Sequence, residues 1–475
     1  MASSTRPRVG RERAVTLGVV AAGQFLAVMS TSVVSVALPT IGRELDASTT
    51  SLEWIVDAYV LVFASLLVAG GVLSDRRGRK PMFVLGVALF GLGSLLAGIA
   101  PTVGVLIGGR VVQGLGPAIV LPGSLAIISA IFPDPRERAA AIGLWSASSG
   151  LALAVGPAFG GALVDGLGWR WVFLVNVPLC ALLVVAALRW IPPIRPDPGR
   201  GFDVLGAVLT TLGIGSLAFA LIEAQDRGWG SALVVGALVV AVVALTVFVL
   251  YELRRDDPLV DVRLFRIPAF TAANVAGLAV FFAFIGAIVY FSAYFQDVQG
   301  RSAVDAGLRV LPIGVALALT APVSGRLTGR IGARTPMLVG LLICAAATLG
   351  LLRLQPDSGL GAEWWDFALV GLGAGLALTP MTATAVGAVR PERAGMASAV
   401  HNSMRQLGQV LGVAVLGALV YAGFGGSAPV GRLGPAAART YVDGLHDALW
   451  VSGLALLAAA ALVAVLVPRH RQSDN

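Results

Sequence analysis

The fold is decided by the stretch GVLSDRRGRK, residues 71–80, which follows the second long apolar run of the chain and precedes the third. A weaker copy, GRLTGRIGAR, occupies residues 325–334, so that the two stretches start 254 residues apart. The tripeptides Glu137-Arg138-Ala139 and Glu392-Arg393-Ala394 stand 255 residues apart. Two matches at nearly one offset predict two halves of similar structure, repeated in parallel orientation.

The composition places the apolar runs in a membrane. Only 13% of the 475 residues are charged and 57% are hydrophobic, whereas soluble domains carry about 25% charged residues. This excludes an ordinary soluble protein, a disordered chain and a coiled coil. The two cysteines, Cys180 and Cys344, offer no framework of disulfides. The predicted fold class is therefore an all-α integral membrane protein.

Charged and Pro/Gly-rich breaks divide the chain into fourteen predicted transmembrane helices, because a helix needs about 20 mainly apolar residues to cross a bilayer. The predicted spans lie near 15–38, 52–72, 81–100, 103–128, 139–163, 172–191, 204–223, 231–251, 269–294, 304–325, 335–353, 366–388, 395–422 and 447–467. With the N-terminus inside, 24 of the 34 lysines and arginines fall on the inner face, eight on the outer face and two within spans. Since cytoplasmic loops carry the excess of basic residues, both termini are predicted to be cytoplasmic.

Several motifs resemble those of a known family. Residues 71–80 look like the loop 2–3 signature of the major facilitator superfamily, and Arg110-Val-Val-Gln113-Gly114 resembles its second motif. The stretch Gly156-Pro157-Ala-Phe-Gly160-Gly161 resembles the motif associated with its antiporters. Similarity to the fourteen-helix drug:proton antiporter branch is carried by residues 54–59, 169–178 and 394–412. The resemblance spans nearly the whole chain and implies a multidrug efflux type of transporter.

The repeat and the resemblance together predict the domain organisation. Two six-helix bundles, 15–191 and 269–467, are the repeated halves, and residues 192–268 hold an inserted pair of helices with their linkers. Residues 1–14 and 468–475 are cytoplasmic tails. Transporters built from two parallel repeats work by rocking of the halves around a site between them.

The stretch 71–80 is predicted to form a gating loop, whose candidate residues are Gly71, Asp75, Arg76, Gly78, Arg79 and Lys80. The two glycines permit a close helix approach and a tight turn, and an anion such as the aspartate is favoured at a helix N-terminus. The resemblance implies that this cluster latches the two halves on the inside when the carrier faces outward. A purely topogenic basic loop is the alternative, which accounts for the cations but not for the spacing of Gly and Asp. In the second copy Gly329 stands where Asp75 stands, so that latch is expected to be weaker.

Asp57 is the one carboxylate that lies clearly inside a predicted span. Intramembrane carboxylates are costly, face the protein interior and are functional candidates by default. Arg110 lies at a comparable depth in the fourth span, so that Asp57 could alternately pair with it and take up a proton; a fixed ion pair is the alternative. The branch that the chain resembles usually carries an aspartate in the first span, where this chain has Ser30. A serine cannot cycle a proton at physiological pH.

The fifth span carries the four residues of the antiporter-like motif, Gly156, Pro157, Gly160 and Gly161. The proline removes a backbone hydrogen bond and is predicted to kink the helix, and the second glycine pair allows close packing beside that kink. The assignment to antiport is what the resemblance implies, since glycine-rich packing is common in membrane helices.

Polar and aromatic side chains within the spans predict a substrate cavity. In the first span, Gln24, Thr31 and Ser35 share one helical face, and such a polar stripe is expected to face a cavity rather than lipid. The further candidates are Gln113, Phe281, Phe284, Asn402 and Arg405. Aromatic walls suit lipophilic and cationic ligands, although packing is equally open for the two phenylalanines. For Arg405, substrate contact and structural pairing both stay open.

These patterns predict a secondary active exporter, not an enzyme, that exchanges protons for lipophilic, often cationic small molecules such as drugs and antibiotics. One alternative is a narrowly specific or proton-independent exporter of a metabolite or antibiotic, suggested by Ser30; another is a membrane enzyme or lipid-handling protein. The sequence predicts no metal site and no cofactor, because its three histidines are scattered and it has no P-loop. The expected partners are the substrate, protons and the lipid bilayer, without nucleic acid, for a monomer. The single lysine among many arginines suggests a bacterial protein, a multi-pass protein of the cell membrane.

Overall fold

The computed structural model describes residues 6–47, 49–194, 203–255, 258, 261–301, 303–390, 393–424 and 433–468. Within these ranges the chain forms fifteen α-helices and no β-strand, which confirms the all-α class. The helices are α1 (Arg6–Leu45), α2 (Thr49–Arg77), α3 (Arg79–Gly98), α4 (Val103–Ile131), α5 (Pro135–Leu167), α6 (Trp171–Leu174), α7 (Asn176–Trp190), α8 (Val204–Arg227), α9 (Ala232–Leu253), α10 (Pro268–Ala293), α11 (Ala303–Ile331), α12 (Arg334–Gly350), α13 (Leu360–Gly387), α14 (Ala394–Val420) and α15 (Pro435–Leu466).

Most of these helices are long and apolar enough to cross a bilayer. Twelve candidate spans are found in the described residues, and α6 and α7 are joined in one of them, Trp171–Trp190. Helix α5 is not among the twelve, and α10 contributes only a shorter apolar stretch, Pro268–Phe284. Each of the fourteen predicted spans overlaps a helix, but the number of helices that cross a membrane stays a prediction.

Helices α1 and α15 begin earlier than the spans predicted from the sequence. Helix α1 starts at Arg6, within the predicted tail 1–14, and α15 starts at Pro435 rather than near residue 447. An apolar run marks only the part of a helix that lipid or protein surrounds, while polar residues can continue the same helix into water. The apolar pattern therefore predicted where these helices lie but not where they start.

The buried apolar side chains form two large clusters. One contains residues from Leu17 to Ile191, mainly on α1–α7, and the other contains residues from Ala272 to Val467, mainly on α10–α15. We call α1–α7 the first helical group and α10–α15 the second helical group. Helices α8 and α9 pack against each other, and α8 also lies against α2 and α14. The α9 surface is apolar and exposed, as at Val242, which is 64% exposed; such a face suits contact with lipid.

The two helical groups meet at the end of the bundle where residues 76–80 lie, which we call the motif end. Here α2 packs on α14, and α5 packs on α11. A Cβ on Gly71 would lie 2.6 Å from the Cβ of Ala399, and a Cβ on Gly325 would lie 2.5 Å from the backbone oxygen of Ala139. Gly71 and Gly325 hold the same position in the two copies of the repeated stretch. The repeat therefore corresponds to two equivalent close contacts between the groups.

Glycine packing within the first helical group gives a stability prediction. A Cβ on Gly109 of α4 would lie 2.6 Å from the backbone nitrogen of Ala97 of α3, whereas the adjacent Gly108 has nothing within 4 Å. We expect Gly109→Ala to lower the free energy of unfolding by about 1–3 kcal/mol through overpacking. The matched control Gly108→Ala should leave it unchanged or raise it by up to about 1 kcal/mol, because alanine is the better helix former. Thermal unfolding of both variants in detergent measures the difference, and equal melting temperatures would contradict this packing.

Candidate functional site

A cavity lies between the two helical groups, further from the motif end than the contacts of Gly71 and Gly325. Its volume is about 110 Å³, measured as the space that the centre of a water molecule can reach. A single water molecule needs about 10–15 Å³ by the same measure. The lining side chains of the first group include Gln24, Val28, Thr31, Tyr59, Phe63, Trp145, Ser146 and Ser149. Those of the second group include Phe281, Phe284, Leu317, Asn402, Arg405, Gln406 and Gln409. A ligand in this space would touch both groups at once.

One face of α14 supplies the polar side of the cavity in the second group. Asn402, Arg405, Gln406 and Gln409 all line the space, and spacings of three and four residues bring side chains onto the same side of a helix. The guanidinium of Arg405 lies 4.3 Å from the ring centroid of Phe281. Its Nη1 donates a hydrogen bond to Asn402 Oδ1 at 3.3 Å, while its buried Nε has no hydrogen-bond partner within the described residues.

Helix α1 supplies neutral polar groups to the cavity. Gln24 Nε2 donates a hydrogen bond to Ser149 Oγ at 2.6 Å, which links α1 to α5. Thr31 Oγ1 donates to the backbone oxygen of Val28 at 2.6 Å. These α1 side chains carry no net charge into the cavity, and Gln24 Oε1 is buried without a hydrogen-bond partner within the described residues.

Arg110 is fully buried behind the cavity wall, at the junction of α1, α2 and α4. Its Nε donates to the backbone oxygen of Ile55 at 2.7 Å, and its Nη1 donates to Ser30 Oγ at 3.1 Å and to Gln113 Oε1 at 2.7 Å. The guanidinium also lies 4.3 Å from the ring centroid of Tyr59, which lines the cavity. Arg110, itself on α4, therefore contacts α1, α2 and a second residue of its own helix.

Asp57 lies on α2 between Ile55 and Tyr59, both of which contact Arg110. Its side chain is half-buried, and its charge acts on the Arg110 guanidinium. The Asp57 carboxylate thus lies near a fully buried cation that contacts α1 and α2 from α4.

The repeated stretch 71–80 lies where α2 meets α14. Asp75 Oδ2 accepts a hydrogen bond from the backbone N–H of Met396 at 3.1 Å, in the first turn of α14. A Cβ on Gly395 would lie 2.3 Å from this carboxylate, so only a glycine leaves room for it. A carboxylate at a helix N-terminus satisfies a free N–H and complements the helix dipole. Asp75 therefore joins α2 of the first group to α14 of the second.

The cations of the same stretch fasten it to the first helical group. Arg79 Nε forms an ion pair with Asp75 at 3.2 Å, and its Nη1 donates to the backbone oxygen of Ala126 at 2.9 Å. Lys80 Nζ donates to the backbone oxygen of Leu188 at 2.7 Å. Gly78 has a φ of 97°, a conformation that favours glycine, at the turn between α2 and α3. Arg76 lies beside this turn and is half-buried.

The glycines of the antiporter-like motif bring α5 close to α1. A Cβ on Gly156 would lie 2.0 Å from Ser32 Oγ, and a Cβ on Gly160 would lie 2.9 Å from Val33 Cγ1. Gly161 is half-buried. The side chain of Pro157 lies outside the described part of the chain. The motif thus sits at the contact between two helices that both line the cavity.

The structure brings most of the predicted cavity residues together. Those that line the cavity are Gln24, Thr31, Phe281, Phe284, Asn402 and Arg405. Gln113 instead lies behind the wall, where it accepts from Arg110 and donates to Ser94 Oγ at 2.7 Å. The side chain of Ser35 lies outside the described residues. Among the residues described, no group of three or more His, Cys, Asp or Glu could hold a metal ion.

Sequence reasoning missed several lining residues, namely Tyr59, Phe63, Trp145, Ser149, Gln406 and Gln409. A signal existed for the two glutamines, because they follow Arg405 at spacings of one and four residues inside an apolar helix. No such signal marked Trp145 or Phe63, since an aromatic residue in an apolar span can equally face lipid or a neighbouring helix.

Comparisons with known proteins agree with this architecture. The family model described as Major Facilitator Superfamily matches residues 20–413. The multidrug resistance protein Stp of Mycobacterium tuberculosis is 37% identical over 420 residues, which cover 87% of this chain and 77% of that protein. The tetracenomycin C resistance and export protein of Streptomyces glaucescens is 35% identical over 436 residues, covering 90% of this chain and 81% of that protein.

A solved structure shows the same fold at much lower identity. The crystal structure of the human organic anion transporter MFSD10 (TETRAN) aligns with a TM-score of 0.69 and 15% identity, covering 95% of this chain and 99% of that one. At this identity the likeness shows the fold alone. The family match over most of the chain, the two relatives and the shared fold lead to one conclusion: the chain belongs to the major facilitator superfamily.

Proposed function

We propose that this chain is a secondary efflux transporter that exchanges protons for lipophilic small molecules, drugs and antibiotics among them, by alternating access. The observation that carries this proposal is a cavity lined by both helical groups and closed off at the motif end by contacts between them. Relatives with resistance and export in their names support the direction of transport. A binding site between two groups is what rocking of the halves requires.

The topology follows from the loop charges. Fourteen spans with both termini in the cytoplasm put the motif end on the cytoplasmic side of the cell membrane. The groups are then two six-helix bundles, 15–191 and 269–467, with residues 192–268 inserted between them, and the working unit is a monomer. With the motif end closed, the conformation corresponds to the outward-facing or occluded part of the cycle.

Proton coupling is assigned to Asp57 and Arg110. When Asp57 is ionised, its charge offsets that of the buried guanidinium; when it is protonated, Arg110 depends on its neutral partners Ser30, Gln113 and the Ile55 oxygen. The two charge states favour different packing of α1, α2 and α4. A proton taken up from one side could in this way bias the rocking of the groups.

The exporter proposal is tested in cells of a drug-sensitive bacterium that express the chain. Energised cells should accumulate less of a lipophilic fluorescent dye than cells with an empty vector, and a protonophore should abolish the difference. Export that persists after the protonophore would favour the proton-independent alternative, to which Ser30 in the first span points. Equal dye levels in both strains, across dyes of different charge, would contradict export.

The contact of Asp75 with α14 gives a prediction for the gate. Asp75→Ala removes the acceptor of the Met396 N–H and the anion at this helix N-terminus, so that the motif end should open more readily. We expect the rate of dye export to fall by about tenfold or more, since one to three kcal/mol of bias is typical of coupling between states. The export rate in energised cells at matched expression measures the effect.

Asp134→Ala is the matched control for Asp75→Ala. Asp134 also accepts from backbone N–H groups at a helix start, those of Arg136 and Glu137 at 2.9 and 3.0 Å, but both partners lie in its own helical group. Its loss should cost about 1 kcal/mol of stability with little effect on rate. Equal losses of transport in the two variants would show that Asp75 acts only as a local cap.

A further inference from the structure

We propose that the cavity selects lipophilic molecules that carry a negatively charged oxygen group, such as a carboxylate or an ionised phenol, and that Arg405 binds this group. This inference rests on the proposed export function and specifies its substrate class. It replaces the cationic class that the aromatic side chains alone predicted.

The charge of the cavity comes from Arg405. Among the described residues that line the cavity there is neither Asp nor Glu, and Arg405 is the charged side chain among them. No ion pair joins Arg405 to a carboxylate within the described residues. Arg110, the other buried cation of this region, differs in that Asp57 lies close enough to act on its charge. The formal charge that the described lining residues bring to the cavity is therefore positive.

The protein itself provides acceptors for few of the hydrogen-bond donors of the Arg405 guanidinium. This guanidinium has five N–H donors, and within the described residues it makes one hydrogen bond, to Asn402 at 3.3 Å. Its Nε is buried without a partner. Arg405 is half-buried, and a charge that is partly withdrawn from water without a counter-ion is costly. A carboxylate can accept two parallel hydrogen bonds from the guanidinium edge. An anionic ligand would supply the missing counter-charge and acceptors together.

The surroundings of Arg405 fit an anion attached to a lipophilic body. Phe281 stacks on the guanidinium with its ring centroid 4.3 Å away, which holds the charged group in place. Gln406 and Gln409 lie on the same face of α14 and can donate further hydrogen bonds to oxygen atoms. Phe284 and Trp145 provide apolar surface from opposite groups. A cationic ligand of the same size would enter beside an unneutralised guanidinium and be repelled.

The test compares three forms of one fluorescent aromatic dye: the free carboxylate, its methyl ester and a trimethylammonium derivative. Binding to the purified full-length protein in detergent is measured by fluorescence anisotropy at pH 7. The carboxylate should bind most tightly and the ammonium form most weakly. Tighter binding of the ammonium form would overturn the charge assignment while leaving export intact. Failure of the carboxylate to bind more tightly than its ester would also overturn the charge assignment, while the dye levels in cells decide the export proposal separately.

Substitution of Arg405 locates the recognition. Arg405→Gln should weaken binding of the carboxylate by about tenfold or more, because a hydrogen bond to a charged group is lost, and should leave binding of the ester unchanged. Arg405→Lys keeps the charge and should restore part of the preference. Unchanged ester binding also shows that the variant is folded. Equal losses for the carboxylate and the ester would mean that Arg405 is only structural.

Discussion

Asp57→Asn is expected to abolish transport driven by a pH gradient while leaving substrate binding intact. Asparagine has nearly the shape of aspartate but carries no exchangeable charge, so the charge balance around Arg110 can no longer change with protonation. The cavity lining does not include Asp57, and the binding surface is therefore preserved. Purified variant and wild type in proteoliposomes, with an imposed pH gradient, measure uphill movement of dye; binding is measured separately by anisotropy.

Two control variants isolate the role of the carboxylate. Asp57→Glu keeps the titratable group and should retain part of the coupling. Glu44→Gln removes a carboxylate from α1 that pairs with Arg170 at 3.3 Å, where the Glu44 side chain is 49% exposed, and should leave coupling unchanged. Uphill transport at the wild-type rate by Asp57→Asn would remove Asp57 from the coupling mechanism.

Arg110→Ala is expected to produce the largest loss of stability among single substitutions in the first helical group. The change leaves a cavity, deprives Ser30, Gln113 and the Ile55 oxygen of their shared donor, and leaves Asp57 without its nearby cation. Removal of one partner from a buried charged network costs about 3–5 kcal/mol. Thermal unfolding in detergent should therefore show a large decrease in melting temperature, and transport should be lost.

Two further variants of α4 distinguish the stability contributed by the Arg110 hydrogen bonds from that contributed by other side chains of this helix. Val111→Ala truncates the adjacent side chain, which is 39% exposed, and should change stability little. Arg110→Lys retains the positive charge but cannot reproduce the forked set of hydrogen bonds, so an intermediate melting temperature is expected. If Arg110→Ala unfolded at the same temperature as Val111→Ala, the three-helix junction would contribute little to the fold.

The helical architecture could be predicted from the sequence because membrane-spanning helices leave long apolar runs. The repeat of residues 71–80 at 325–334 also pointed to equivalent positions, and Gly71 and Gly325 do form equivalent contacts between the groups. The start of α15 at Pro435 was not predicted, since Arg439, Asp443 and Asp447 interrupt the apolar pattern of its first turns. The sequence predicted that Asp75 lies near a helix N-terminus, but the individual N–H group, that of Met396, is a backbone group that no residue type identifies.

The site was only partly accessible to sequence reasoning for a similar reason. Periodic polar positions such as Gln24 and Thr31 mark a helix face, so their location at a cavity could be predicted. The link between Arg110 and Ser30 depends on how α1 packs on α4, which neither helix encodes alone. The sequence gives the number of charged residues but not which of them are neighbours. Only the packing shows that no carboxylate lies beside Arg405 in the described residues.

In the proposed mechanism, this chain couples outward movement of substrate to inward movement of protons. The most direct test is to place the purified protein in sealed liposomes that contain a pH indicator and to add whichever of the three dye forms binds. Movement of dye in one direction should drive protons in the other, at a rate that disappears in Asp57→Asn. Dye that crosses the membrane through the wild-type protein without any accompanying proton movement would contradict proton-coupled exchange.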